Sequence, residues 1–188
     1  MKILGGAYKG RNFYMPAGIR PTQNVLRAAI FDLLGHSLSG LSFLELFAGS
    51  GAVSLEAVSR GASTVVMVEF NDLNAKTIQE NCELLGIELG RDFSLVHAEA
   101  MTTIKRLSEE KRRFDIVFFD PPYGQKLAKK TLKLIGSRDI LHAQSLVLVQ
   151  CETTEKLEVP ENFEVLTQRR YGSSYLTLLQ QVTVKKAE

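Results

Sequence analysis

The sequence predicts an α/β protein built on a doubly wound, Rossmann-like sheet whose strands run mostly parallel. Short apolar runs alternate with helical patterns between residues 42 and 149, and strands that alternate with helices in this way form right-handed βαβ units. Two later strand-like runs, joined by a turn that contains Gly172, predict a hairpin with one antiparallel strand. With 188 residues, 45% of them hydrophobic, the chain is long enough for one domain with a sizeable core and an appendage.

The predicted elements follow the periodicity of the apolar residues, about 2 for strands and about 3.6 for helices. Strands are expected at residues 43–47, 64–68, 93–96, 114–119 and 146–149, and the hairpin at 163–170 and 175–179. Helices are expected near residues 52–60, 72–85, 100–110 and 126–135. A preceding helix is predicted to be capped by Thr22 and to end at Gly35. Arg27 falls off the apolar stripe of that helix, so we expect it to face solvent or a ligand.

The first 21 residues are predicted to form a basic arm or hairpin ahead of a main domain at residues 22–188. Aromatic residues are interleaved there with basic residues and glycines, which favours an extended segment over a helix. Residues 1–40 contain five Lys or Arg and one Asp, a net charge of +4, whereas the whole chain carries +2. This asymmetry indicates a polyanion contact at one end of the molecule. A solvated terminal segment explains the charge equally well.

The cysteines and the hydropathy of the chain exclude several classes of protein. Cys82 and Cys151 lie far apart and outside any C-x-x-C pair, so neither a disulfide framework nor a metal site is indicated. Apolar runs fall well short of the roughly 20 residues needed to cross a bilayer. We therefore expect a cytoplasmic protein with no membrane partner.

The most informative stretch is Asp120-Pro121-Pro122-Tyr123, which directly follows the apolar run at residues 114–119. Continuous apolar strands are buried on both faces in parallel sheets, and ligands bind outside the carboxyl ends of such strands. Prolines lack N–H groups and hold the backbone extended, so the Asp120 carboxylate and the Pro121 carbonyl are presented as acceptors beside an aromatic ring. This arrangement suits a flat molecule that carries an amino group. A helix-capping role for Asp120 would explain neither the prolines nor the ring.

A glycine-containing turn after the first strand of the sheet predicts a second part of the site. Gly49 and Gly51 allow a tight turn and let the backbone approach a ligand closely. The dinucleotide fingerprint has Gly or Ala where this chain has Ser54, which disfavours a pyrophosphate ligand. Glu45 disfavours it too, because a carboxylate repels phosphates but pairs with an ammonium group. An ordinary structural turn is the alternative.

Two further acidic residues follow the next strands. Glu69 ends the second strand of the sheet, 20 residues after Gly49, where a carboxylate is placed to accept hydrogen bonds from both ribose hydroxyls of a nucleoside cofactor. Glu99 follows the third strand and could reach an adenine amino group. A helix-capping role for Glu99 is nearly as well supported.

Glu45 to Gly51, Glu69 and Asp120 to Tyr123 resemble the cofactor and catalytic motifs of S-adenosylmethionine-dependent amino-N methyltransferases. Over nearly its whole length the chain resembles the RsmD-type bacterial 16S ribosomal RNA (guanine-N2) methyltransferases. The motifs that carry this narrower resemblance are Gly5-Gly6, Lys9-Gly10-Arg11, Arg20-Pro21-Thr22, Arg27, Phe47-Ala48-Gly49-Ser50-Gly51, Ser59-Arg60-Gly61-Ala62 and Tyr171-Gly172. The chain departs from the family at Ala28, where an acid is usual, and at Glu45 and Glu99, where Asp is common.

The resemblance implies a class I methyltransferase domain at residues 22–188, S-adenosylmethionine as cofactor, and ribosomal RNA, naked or in a small-subunit ribonucleoprotein, as partner. It implies a catalytic motif at Asp120, Pro121, Pro122 and Tyr123, with Asp120 and the Pro121 carbonyl accepting the amine's N–H bonds and Tyr123 stacking on the base. The implied cofactor contacts come from Glu45, Phe47, Gly49, Ser50, Gly51, Glu69 and Glu99. The implied RNA contacts come from Lys9, Arg11, Arg20 and Arg27.

Three rival interpretations are open at this point. Another amino-N methyltransferase could act on DNA or on a protein glutamine, but DNA enzymes usually need a separate target-recognition region, for which this chain has no room, and the protein enzymes carry Asn where Asp120 stands. A non-catalytic nucleoside-binding RNA assembly factor would not need an intact Asp120-Pro121-Pro122-Tyr123. A nicotinamide dehydrogenase is disfavoured by Ser54 and Glu45.

Overall fold

The structure is a computed structural model, which describes residues 1–16, 18, 24–122, 126–154 and 157–182. The helices and strands occur in the order α1 (Asn24–Leu34), β1 (Ser42–Leu46), α2 (Ala52–Ser59), β2 (Thr64–Glu69), α3 (Asp72–Leu85), β3 (Phe93–His97), α4 (Ala100–Glu109), β4 (Phe114–Phe119), α5 (Leu127–Gly136), β5 (Leu141–Glu152), β6 (Phe163–Tyr171) and β7 (Ser174–Gln181).

The strands form one seven-stranded sheet in the order β3-β2-β1-β4-β5-β7-β6. Strands β1 to β5 pair in parallel, and β7 runs antiparallel to both of its neighbours. The predicted fold class, including the single antiparallel strand of the closing hairpin, is confirmed. Since the chain order reverses between β1 and β4, the carboxyl ends of these two strands flank a topological switch point, where ligands bind in open α/β sheets.

Two apolar layers cover the sheet because its central strands are buried on both faces. One layer joins buried side chains of α1, α2 and α3 to the sheet, and the other joins those of α4 and α5. Every residue of α2 is buried, including Ser54 and Glu56. In the described part of the chain, no helix has the length and apolar character needed to cross a membrane.

Most predicted boundaries agree with the structure to within two residues, but β5 is three times longer than predicted. The apolar run at residues 146–149 is only the middle part of β5, which spans Leu141–Glu152. The first half begins with Leu141 paired to Phe114, and a register shift precedes the pairing of Leu146 with Ile116. Exposed polar residues in this segment, such as His142 and Gln144, interrupt the apolar pattern and hid the extension from the sequence.

The N-terminal segment forms a tight hairpin that packs on the main domain. Lys2 and Asn12 form an antiparallel bridge, and Ile3 and Phe13 are buried in the core layer of α1, α2 and α3. The Ser59 carbonyl accepts a hydrogen bond from the Ala7 amide at 2.7 Å, so the hairpin caps the end of α2. A Cβ on Gly6 would lie 1.8 Å from that carbonyl oxygen. The hairpin therefore needs glycine at this position.

The expectation that Arg27 faces solvent or a ligand is wrong, because the N-terminal hairpin covers it completely. Its guanidinium donates to the Lys2 carbonyl and, at 3.2 Å, to Asn24 Oδ1, and its Nε lies 3.6 Å from Glu56 Oε2. The guanidinium also lies over the Phe13 ring, 5.4 Å from its centroid. Burial lowers the pKa of Arg27, and the Glu56 charge opposes that shift. Arg27 thus fixes the hairpin to the domain and is not available to RNA in this structure.

Candidate active site at the carboxyl edge of the sheet

A cavity of about 760 Å³ opens at the carboxyl ends of the central strands. Its volume lies in the range that small-molecule and cofactor sites occupy, roughly 300 to 1,000 Å³. The cavity brings together most of the residues predicted for the site from separate strands. These lining residues are Glu45, Phe47, Gly49, Ser50, Glu69, Glu99, Asp120, Pro121 and Pro122.

The turn between β1 and α2 lies at the cavity and has an unusual backbone conformation. Phe47, Gly49 and Gly51 all have positive φ angles, of 59°, 58° and 73°. Glycine adopts this region readily, whereas a bulky residue such as Phe47 does so only where its surroundings hold it there. Gly51 is the N-cap of α2, and a Cβ on it would lie 3.2 Å from Ile78. The turn is therefore packed tightly against α3, and Phe47, Gly49 and Ser50 also line the cavity.

Glu45 is buried at the end of β1 with a single strong donor. Its Oε2 accepts the Ser54 backbone N–H at 2.9 Å. Burial, with a smaller contribution from the nearby Glu69 and Asp120 carboxylates, raises the pKa of Glu45 to about 8 even though hydrogen bonding from Ser54 opposes the shift. An ammonium group in the cavity would favour the ionised form, so the side chain suits a cationic ligand.

Glu69 lies at the end of β2 and fixes the neighbouring backbone. Its Oε2 accepts the Gly49 amide at 2.7 Å, and its Oε1 accepts the amides of Phe70 and Asn71 at 3.0 and 2.8 Å. A carboxylate has about four lone-pair sites, so one acceptor site is left for a ligand hydroxyl. The predicted ribose contact is thus geometrically open and stays a prediction.

Glu99 stands at the N-cap position of α4, but its side chain makes no capping hydrogen bond. The carboxylate is exposed and lines the cavity. This geometry leaves it accessible to a polar group of a bound ligand, and its predicted adenine contact stays a prediction.

Asp120 directly follows β4 and lines the cavity. Its Oδ1 is shielded from solvent and has no hydrogen-bond partner among the residues that the structure describes. Burial raises the pKa of Asp120 to about 7. Pro121 is buried and Pro122 is exposed, and both line the cavity beside it. Tyr123, the fourth residue of the predicted catalytic motif, lies outside the described residues.

The basic residues predicted to contact RNA do not form one group. Lys9 and Arg11 are exposed on the hairpin, but the Arg11 guanidinium donates to the carbonyls of Leu84 and Leu85 at the end of α3, at 2.7 and 2.9 Å, and stacks on Tyr8. Arg11 therefore has a structural role whether or not it meets phosphate. Arg27 is buried, and Arg20 lies outside the described residues.

Gln150 is a cavity residue that the sequence did not single out. It is 4% exposed, lines the same cavity as Asp120, and its Oε1 has no hydrogen-bond partner in the described part of the chain. A polar residue that interrupts an apolar run near the carboxyl end of a predicted buried strand is the signal that could have pointed to it.

The seven-stranded order with one antiparallel strand, together with an acidic cavity at the switch point, defines a class I methyltransferase fold. A solved structure described as a putative methyltransferase complexed with SAH has this fold at 17% identity and a TM-score of 0.70, over 92% of this chain and 52% of that one. A Thermus thermophilus protein described as hypothetical is more similar, with 31% identity and a TM-score of 0.83 over 96% of this chain and 99% of that one.

The family model described as conserved hypothetical protein 95 matches residues 1–180, and the chain belongs to this family. Among its relatives is the ribosomal RNA small subunit methyltransferase D of Escherichia coli, which is 30% identical over 183 residues, 96% of this chain and 89% of that protein. The enzyme of the same name from Buchnera aphidicola is 29% identical over 163 residues, 86% of this chain and 83% of that protein. The resemblance drawn from the sequence motifs is confirmed.

Proposed function

We propose that this protein is an S-adenosylmethionine-dependent methyltransferase that modifies the exocyclic N2 of a guanine in small-subunit ribosomal RNA. The observation that carries the proposal is the convergence of Glu45, Glu69 and Asp120 in one cavity at the switch point of the sheet. Membership of a family whose relatives include ribosomal RNA small subunit methyltransferases supports the reaction and the class of substrate.

The residues on the cofactor side fit an S-adenosylmethionine molecule. Glu45 is a buried carboxylate with one strong donor, which suits the ammonium group of the methionine part. Glu69 has an acceptor site left for the ribose, and Glu99 is exposed to the cavity for the adenine. Phe47, Gly49, Ser50 and Gly51 form the turn beneath these groups. When bound, the cofactor would supply a methyl group on a sulfonium, which is already activated for transfer.

On the acceptor side, Asp120 would hold the amine. The lone pair of an exocyclic base nitrogen is delocalised into the ring, so the protein must orient the amine toward the methyl group. Positioning of this kind supplies about 7 to 11 kcal/mol of a barrier. Asp120 Oδ1, which is shielded and has no partner in the described chain, would accept one N–H bond, and the Pro121 carbonyl would accept the other. The ionised carboxylate stabilises the positive charge that develops on nitrogen.

The reaction balances without a further reactant. The cofactor would supply both the methyl group and, as its thioether, the leaving group. Asp120 or water would take the proton that N2 gives up. Tyr123 would stack on the base, which has to be unstacked from its neighbours to reach the cavity. Residues 1–21 would act as a basic appendage to the methyltransferase domain, with Lys9 exposed on the hairpin. Lys9 and Arg20 are proposed to contact RNA phosphates, and the protein is proposed to act in the cytoplasm.

Transfer of radiolabelled methyl from S-adenosylmethionine to unmodified small-subunit ribosomal RNA tests this proposal. Nuclease digestion and mass spectrometry should then find the label in N2-methylguanosine at one position. Calorimetry without RNA should show binding of S-adenosylmethionine and no comparable binding of NAD. Label in adenine, cytosine or protein, or no transfer by a protein that binds the cofactor, would refute the proposed substrate.

A further inference from the structure

Gln150 is a buried amide whose acceptor oxygen is left without a hydrogen bond. Its side chain is 4% exposed, and Oε1 has no partner in the described ranges of the chain. Buried polar atoms in folded proteins nearly always have partners, and those that lack one at a cavity are candidates for ligand contacts. Gln150 shares this property with Asp120 Oδ1, and the two residues line the same cavity.

The sheet register places Gln150 directly beside Asp120. Phe119, the last residue of β4, pairs in parallel with Val149 of β5. Asp120 directly follows Phe119, and Gln150 directly follows Val149 within β5. Because neighbouring strands lie about 4.8 Å apart and alternate residues point to the same face, the two polar side chains enter the cavity side by side.

The position of β5 in the sheet separates Gln150 from the predicted cofactor contacts. Those contacts lie at the ends of β1, β2 and β3, on one side of β4, whereas β5 lies on the other side. The other cavity residues on the β5 side are Tyr171, Ser173 and Ser174 from the closing hairpin. A base whose amine is held by Asp120 would extend toward this side.

We propose that Gln150 is a specificity-determining residue whose Oε1 accepts the N1–H of the target guanine. This inference rests on the proposed function, because it assumes that Asp120 holds an amine of a nucleobase. The ring atom next to the amine differs among the bases: guanine has the N1–H donor beside N2, whereas adenine and cytosine have an acceptor nitrogen beside their amino groups. An unpartnered acceptor beside Asp120 therefore selects guanine. The amide N–H groups of Gln150 are available for guanine O6.

The first test is the kinetics of Gln150→Met with unmodified small-subunit ribosomal RNA and saturating S-adenosylmethionine. Methionine keeps the length of the side chain but removes the amide. We expect kcat/KM for RNA to fall about 10- to 100-fold, the size of discrimination that one good base-edge contact provides, while the Kd for the cofactor stays within about twofold. Gln180→Met is the matched control. Gln180 of β7 pairs with Leu146, four residues before Gln150 on β5, and its replacement should leave both values unchanged.

The second test replaces the mapped guanine by 2-aminopurine in ribosomal RNA assembled by ligation. This analogue keeps the amino group but lacks N1–H and O6. The wild-type protein should prefer guanine by about 10- to 100-fold, and Gln150→Met should lose most of that preference. Gln150→Asn, which keeps an amide but withdraws it by one methylene, gives the same readout if the Met variant does not fold.

The possible outcomes separate the inference from the function on which it rests. If wild-type protein methylates guanine but the Gln150 variants keep its full preference over 2-aminopurine, Gln150 does not read the base. Weaker binding of S-adenosylmethionine by Gln150→Met would assign the residue to the cofactor and overturn the inference. A wild-type protein that transfers no methyl to ribosomal RNA would instead refute the proposed function.

Discussion

Glu56 and Asp120 are both shielded carboxylates, but their surroundings are opposite. Glu56, in α2, accepts hydrogen bonds from the Leu4 amide at 2.8 Å and from Arg60 Nε at 3.0 Å, and its Oε2 also lies 3.6 Å from Arg27 Nε. Asp120 Oδ1 has no partner in the described chain and faces a cavity. A buried carboxylate that accepts hydrogen bonds from the protein has a structural role. A shielded carboxylate oxygen that lacks a donor and lies at a cavity is available to a ligand.

The same comparison extends to the groups around the two carboxylates. Arg27, Glu56 and Arg60 form what we call the docking cluster, which holds the N-terminal hairpin on α1 and α2. In the cavity, burial raises the pKa of both Glu45 and Asp120, and the Asp120 carboxylate adds to the shift of Glu45. In the docking cluster the Glu56 carboxylate lies beside two guanidinium groups of the protein, whereas no Lys or Arg is among the described residues that line the cavity.

The largest expected effect is a loss of folding stability when the docking cluster is broken. Glu56→Ala leaves the buried Arg27 guanidinium and the largely buried Arg60 guanidinium without their shared carboxylate. Breaking a buried ion pair by removing one partner costs about 3 to 5 kcal/mol. Denaturant unfolding should show this loss of stability. Glu80→Ala removes an exposed i,i+4 partner of Lys76 and should change stability by less than about 0.5 kcal/mol. Equal stabilities of the two variants would show that the docking cluster contributes no net stabilisation.

The next effect is on catalysis at Asp120. Asp120→Ala should lower kcat about 10²- to 10³-fold, as expected for the loss of one group that stabilises developing charge, and leave cofactor affinity unchanged. Because the pKa of Asp120 is raised to about 7, the wild-type kcat/KM for RNA should rise tenfold per pH unit below about pH 7 and level off above it. Asp120→Asn should lose that dependence. Asp139→Ala, at an exposed pair with Arg113, is the control and should retain activity.

A smaller effect is expected for the contribution of Glu45 to the pH dependence of stability. Its folded pKa of about 8 lies above the ordinary value of 4.5, so the folded protein holds a proton that the unfolded chain has lost. The free energy of unfolding should therefore fall as pH rises from about 5 to 8, by on the order of 1 kcal/mol per pH unit. Glu45→Gln should flatten this fall and be more stable than wild type at pH 8. Parallel pH profiles for the two proteins would contradict the buried, proton-holding state of Glu45.

Sequence patterns identified the cavity better than the docking cluster, and the reason is physical. Buried parallel strands appear as apolar runs, and ligand groups follow their carboxyl ends, so Glu45, Glu69 and Asp120 could be located from local sequence alone. Arg27 could not, because its partners Lys2 and Glu56 lie 25 and 29 residues away and come together only in the folded chain. Gly5 and Gly6 of the hairpin are explained by the same kind of tertiary contact, because a Cβ at either position would collide with Arg60 or Ser59 at the end of α2.

The smallest expected effect concerns the salt dependence of RNA binding. It tests which hairpin residues contact RNA, apart from those that hold the hairpin on the domain. Lys9 is exposed and carries no structural contact comparable to the Arg11 bonds with α3. If Lys9 meets one phosphate of a single strand, Lys9→Ala should flatten the slope of log affinity against log salt by roughly 0.7 without changing cofactor binding. Lys105 is exposed on α4, which packs on the opposite face of the sheet from the hairpin. Lys105→Ala should therefore leave the slope unchanged. Salt titrations of RNA binding by both variants separate a phosphate contact from a general effect of charge. If both variants flatten the slope equally, the hairpin has no specific role in RNA binding, and the net charge of the protein alone sets its salt dependence.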